Sequence, residues 1–125
     1  MRASDGTGRS TRRPVRRAAG GDVVADLVRR RIETALAGRA RYRYVQPQVR
    51  REGPGWAVWS PNCSRNIDPQ GGEIGIAWLQ PTGEGRWALH ARDHAAGDWV
   101  QQADGLSLDA ALAALCADPA RRYWP

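Results

Sequence analysis

The stretch that decides the fold is Glu73-Ile74-Gly75-Ile76-Ala77-Trp78-Leu79-Gln80, followed after a break by Arg86-Trp87-Ala88-Leu89-His90-Ala91-Arg92-Asp93. Ile74, Ile76 and Trp78 alternate with smaller residues, as do Trp87, Leu89 and Ala91, which is the period of a strand with one face toward a core. The break, Pro81-Thr82-Gly83-Glu84-Gly85, is turn chemistry, so the two runs predict an antiparallel hairpin. Downstream, His94-Ala95-Ala96-Gly97 turns the chain into Asp98-Trp99-Val100-Gln101-Gln102. Upstream, Glu52-Gly53-Pro54-Gly55 precedes a strand at Trp56-Ala57-Val58-Trp59. Before that, Tyr42, Tyr44 and Val45 lead into an extended segment, and Pro47 suits an edge strand or a bulge.

Helices are expected at both ends of this meander. Val24, Leu27, Val28, Ile32, Ala35 and Leu36 recur at spacings of three and four, with Asp22 as N-cap and Gly38 as the stop. Ser107 caps a second helix whose buried stripe is Leu108, Ala111, Leu112 and Leu115, and Pro119 ends it. The fold class is therefore α+β: two layers, an antiparallel meander sheet of about five strands, with the N-terminal and C-terminal helices on one face. Trp56, Trp78 and Trp87 fall in phase with core residues, and Trp59 falls on the opposite phase. Gly75, Ala77 and Ala88 are expected to leave the outer sheet face flat, which suits a monomer or a homodimer joined through that face.

Residues 1–20 show no hydrophobic periodicity and carry Arg2, Arg9, Arg12, Arg13, Arg16 and Arg17. Such a segment buries too little apolar surface to offset its ordering entropy, so it reads as a disordered basic arm ahead of one domain over residues 21–125. All 19 basic residues are Arg, and the formal net charge is +6. The balance is uneven: 14 Arg against four acids in residues 1–51 give +10, and five Arg against nine acids in residues 52–125 give −4. A basic front half seeks a polyanion. The expected partner is RNA or DNA, bound in a non-enzymatic way by Arg12, Arg13, Arg16, Arg17, Arg30, Arg41, Arg43 and Arg65. An acidic protein is the alternative. Arg41-Tyr42-Arg43-Tyr44 alternates charge and ring, which suits single-stranded nucleic acid, although strand alternation alone would place both tyrosines on the core and both arginines in water.

No apolar run approaches the ~20 residues that span a bilayer, and the N-terminal charges are not followed by the apolar core of a secretory signal. The Arg-only basic usage with abundant Ala and Gly points to a GC-rich bacterial genome and a cytoplasmic location. The two cysteines, Cys63 and Cys116, then read as reduced thiols, Cys116 as a small buried hydrophobe.

The segment Trp59-Ser60-Pro61-Asn62-Cys63-Ser64-Arg65-Asn66-Ile67-Asp68-Pro69-Gln70-Gly71-Gly72 concentrates polar chemistry. Its Asn, Ser, Asp-Pro and Gly-Gly are what a long connection needs for side-chain-closed turns. A second reading makes it an anion cradle around Arg65. A third makes Cys63 a nucleophile with His90 as its base, a pairing that requires proximity in space. Cys63, His90, His94 and Cys116 have no zinc-type spacing, so no metal or other cofactor is expected.

Trp87-x-Leu89, Arg92-Asp93-His94, Trp99, the Leu-rich helix ending in Asp118-Pro119 and the final Tyr123-Trp124 pair together resemble a family of small bacterial proteins known as a domain of unknown function. The resemblance spans roughly residues 22–125. It implies the same helix-first, tryptophan-ending fold and supplies no activity to carry over.

Overall fold

The computed structural model describes residues 15–63 and 67–125, with side chains described from residue 23 onward. Two compact units divide the chain, one ending at Arg31 and the other running from Ile32 to Pro125. Helix α1 (Val15–Leu36) crosses that boundary in sequence. It starts seven residues before Asp22, which therefore lies inside the helix and is not its cap. Residues 15–20 of the expected arm are thus helical. Arg and Ala have high helix propensity, enough to carry the helix through Gly20 and Gly21 at about 1 kcal/mol each. Residues 1–14 of that arm lie outside the described residues. In the first unit Val23, Val24 and Leu27 are exposed, whereas Ile32 and Leu36 in the second are buried.

The second unit is built on five antiparallel strands: β1 (Gln48–Glu52), β2 (Gly55–Pro61), β3 (Glu73–Gly83), β4 (Arg86–Asp93) and β5 (Asp98–Leu106). They lie side by side in chain order, as a meander should. Helix α2 (Leu108–Ala117) packs on β4 and β5. Its N-cap Ser107 accepts a hydrogen bond from the Ala110 amide, and Leu108, Ala111, Leu112 and Leu115 face inward as the periodicity requires. The α+β class, the five strands and the two helices are those expected from sequence.

Register divides the sheet's side chains between two faces, because directly paired residues share a face. Trp56, Leu79 and Leu89 are mutual partners on the helix-covered face and are almost wholly buried. Ala57, Trp78 and His90 form the adjoining row on the other face. Trp78 is therefore half-exposed and outside the main core, contrary to the alternation of Ile74, Ile76 and Trp78. The cause is a bulge: Val58 pairs with Ala77 but Trp59 pairs with Gly75, which leaves Ile76 as an extra residue. A bulge reverses the side-chain phase across it, so Ile74 and Leu79 both reach buried positions.

The second face is not a flat outer surface. Gly75 and Ala88 on this face are buried, and Ala77, the partner of Val58, lies on the other face and is buried there. Glu52 on β1 and Trp99 on β5 are hydrogen-bonded, although these are the two edge strands. Four inter-strand steps would separate flat edges by about 19 Å, beyond the combined reach of two side chains. The sheet is coiled, and this face is its concave side.

The final residues form a plug. Asp118 is 1% exposed and left-handed at φ 38°, and its carboxylate accepts from the amides of Arg122, Tyr123 and Trp124 at 2.6, 3.2 and 2.8 Å. Trp124 is fully buried, with its indole N–H on the Leu115 carbonyl at 3.0 Å.

Candidate functional site

Tryptophans on the concave face need acceptors for their indole N–H groups wherever water is excluded. One residue supplies all three. The Glu52 carbonyl accepts from Trp78 Nε1 at 3.0 Å, Oε1 accepts from Trp59 Nε1 at 3.4 Å, and Oε2 accepts from Trp99 Nε1 at 2.6 Å. Trp59 and Trp99 meet edge to face with centroids 6.0 Å apart. Strands β1, β2, β3 and β5 are thereby tied at one residue, β2 and β5 through its carboxylate and β3 through its backbone carbonyl.

Two guanidiniums lie on these rings. Arg50 is 5.6 Å from the Trp59 centroid, and its N–H donors are engaged by Gln48 Oε1 and by the Glu73 carboxylate. Arg92, on β4, is 4.7 Å from the Trp99 centroid and 5.3 Å from that of Trp59. Both distances are within cation–π range. Gly75 makes the arrangement possible. A Cβ there would lie 2.9 Å from Trp99 Cη2 and 3.2 Å from Arg92 Cδ, so any larger residue would displace the stack.

His90 sits in the next row of this face, buried, with its ring 4.7 Å from Trp78 and Nδ1 3.3 Å from the Trp78 carbonyl. The coiling of the sheet covers it. Burial pushes its imidazole pKa down, which favours the neutral form near pH 7. His94 is also pushed down, by burial and then by the nearby Arg92 charge.

Cys63 is exposed, with Sγ 3.8 Å from the Pro61 carbonyl. Pro61 ends β2 four residues beyond Ala57, in the row of His90, or about 13 Å along the strand. No contact joins Cys63 to His90 among the described residues. Arg65 lies outside them, as do Ser64 and Asn66. In the described part of that loop the turn chemistry is explicit. Asn62 donates through Nδ2 to the carbonyls of Asp68 and Gly71, and its amide donates to Gly72. Asp68 Oδ1 accepts from the Gln70 amide, and Gly71 and Gly72 take positive φ.

The arginines proposed from sequence are dispersed. Arg12 and Arg13 lie outside the described residues, and the Arg16 and Arg17 side chains are likewise not described. Arg30 is exposed on α1. Arg41 and Arg43 are not on a strand: residues 41–45 form turns, with Tyr42 at φ 58°. The expected alternation therefore does not occur. Tyr42 packs edge-on to Trp124 at 5.6 Å, while Tyr44 is 102% exposed. Arg43 is exposed, and half-buried Arg41 donates to the Asp118 carbonyl at 3.4 Å. Cys116 is half-buried, donates to the Ala35 carbonyl at 3.2 Å, and has its thiol pKa pushed up by burial.

Sequence reasoning missed Glu52, Gly75, Arg92 and Trp99 as one cluster. The available signal was that Trp99 and Arg92 are neighbours across the β4–β5 turn, at equal distances from it. An open hollow of about 490 Å³ at the far hairpin end, lined by Glu84, Arg86, Asp104 and others, is of mixed charge. Among the described residues there is no group of three metal-ligating side chains, and no helix is long and apolar enough to cross a membrane.

The chain belongs to the family of the domain of unknown function DUF3024, whose model matches residues 22–125. No curated protein and no solved structure matches it.

Proposed function

We propose that the protein is a non-enzymatic binding module that engages nucleic acid through its Arg-rich front half. The observation that carries this reading is the split of charge, +10 over residues 1–51 against −4 over residues 52–125. The exposure of Arg30 and Arg43 supports it, because solvated guanidiniums can exchange counterions for phosphates without first losing a structural role. Arg39, by contrast, is buried and adds no accessible charge to the front half. The separate surroundings of Cys63 and His90 weigh against a Cys–His enzyme, whose thiol needs its base within hydrogen-bond reach. A bacterial cytoplasm, suggested by the Arg-only usage, would provide both RNA and DNA.

Salt dependence of binding to a single-stranded oligonucleotide tests this reading. The expected log K falls with log salt by about 0.7 per phosphate engaged, or about 0.9 for a duplex, and removal of residues 1–20 flattens the slope by several units. Absence of binding at low ionic strength overturns the reading. Salt-insensitive capture of an acidic protein would replace it with the protein-partner alternative.

A further inference from the structure

We propose that Arg92, held against the Trp59–Trp99 pair above Gly75, is a binding site for a single oxyanion, the phosphate or carboxylate group of a small ligand. The site lies in the acidic half of the chain and is independent of the nucleic-acid reading. A guanidinium carries five N–H donors in a fixed plane that matches two oxygens of a carboxylate or phosphate. In this unit Arg86 donates to the Gly105 carbonyl and Arg122 to Gln102 Oε1, whereas Arg51 lies over the single Trp56 ring with no side-chain acceptor among the described residues but is exposed, where Arg92 is half-buried. Among the described residues, no acceptor takes a hydrogen bond from the Arg92 guanidinium. The guanidinium lies 4.7 and 5.3 Å from the two ring centroids, contacts that hold it in place and leave its N–H donors without a protein acceptor.

The neighbouring carboxylates are already committed. Glu73 binds Arg50, Glu52 accepts two indole N–H groups, and Asp93 Oδ1 accepts from the Ala96 amide. They lower the net field at the site, so the selectivity expected is for a ligand that can pair bidentately and against a simple halide. Gly75 and Glu52 act as positioning residues: Gly75 admits the stack and Glu52 sets the ring planes.

The test is a nuclear magnetic resonance titration of the full-length ¹⁵N-labelled chain with inorganic phosphate and, separately, with acetate, at ionic strength held constant with sodium chloride. The expected result is a saturable shift of the Arg92 guanidinium and of the Trp59 and Trp99 indole N–H signals. Arg92→Gln should weaken apparent binding about tenfold or more, as expected when a charge-assisted pair is lost. Gly75→Ala, with the amide spectrum confirming the fold, should weaken it as well by displacing the stack. Arg43→Gln removes the same charge from the front half and should leave the titration unchanged. Saturation by phosphate alone assigns the ligand group as phosphate, and saturation by acetate alone as carboxylate. Linear shifts with both anions, or saturable shifts that survive in Arg92→Gln, overturn the site. None of these outcomes bears on oligonucleotide binding by the front half.

Discussion

Among the described residues the guanidiniums of Arg39, Arg50, Arg51 and Arg92 lie on tryptophan rings, and Arg39 and Arg92 differ in what accepts their hydrogens. Arg39 lies 5.2 Å from the Trp124 centroid, is 7% exposed, and donates to the carbonyls of Leu36 at 2.8 Å, Val45 at 2.5 Å and Tyr42. Those carbonyls belong to the end of α1 and to the turn that follows it; the Leu36 and Tyr42 oxygens also accept from the Arg39 and Val45 backbone amides, and the guanidinium matches the Val45 oxygen. Arg39 is thus the internal brace of a segment without regular structure. Arg92 has the same ring contact, doubled, and no acceptor among the described residues. Cation–π contact alone therefore does not distinguish a structural arginine from a binding one. The fate of the N–H donors does.

The comparison can be broken most easily at the Trp124 end. Trp124→Ala should cost about 3–5 kcal/mol, the range for a fully buried aromatic, and chemical denaturation measures it. Asp118→Ala removes a buried acceptor from three backbone amides and should cost about 3 kcal/mol or more by the same measurement. Arg39→Ala leaves the Val45 carbonyl unmatched, removes a second donor from the Leu36 and Tyr42 carbonyls and opens a cavity, and should cost about 2–3 kcal/mol. On the concave face the effects shrink. Gly75→Ala forces the stack aside and should cost about 1–2 kcal/mol, as overpacking does. Arg92→Gln should change stability by no more than about 0.5 kcal/mol, since no protein acceptor is orphaned. A loss of 2 kcal/mol or so in Arg92→Gln would make the two arginines alike and the contrast false.

The legible part of the molecule was what short-range chemistry determines. Turn residues at Gly53-Pro54-Gly55, Gly83-Glu84-Gly85 and Ala95-Ala96-Gly97 mark three hairpin connections, and the α2 stripe with its Ser107 cap reads directly off spacing. Asn62 and Asp68 close the long loop, as Asx residues there should. What stayed hidden depends on long-range geometry. The bulge at Ile76 reverses which β3 residues are core, and no local signal in Ile74-Gly75-Ile76-Ala77 announces it. By alternation alone Gly75 is an exposed spacer; with the bulge it becomes the floor beneath Arg92 and Trp99. Coiling of the sheet brings Glu52 to Trp99 across four strand steps, and a charge on an edge strand gives no hint of three indoles converging on it. The start of α1 was missed for another reason: polar, Arg-rich helix lacks the apolar period by which helices are recognised.

The most direct test of the contrast is solvent exchange of the guanidinium Nη hydrogens, resolved by ¹⁵N labelling of arginine. Three backbone carbonyls hold those of Arg39, so they should exchange far more slowly than in free arginine, while those of Arg92 should exchange at close to the free rate until phosphate or acetate is added. Protection of Arg92 equal to that of Arg39 in the absence of any added anion would contradict the account.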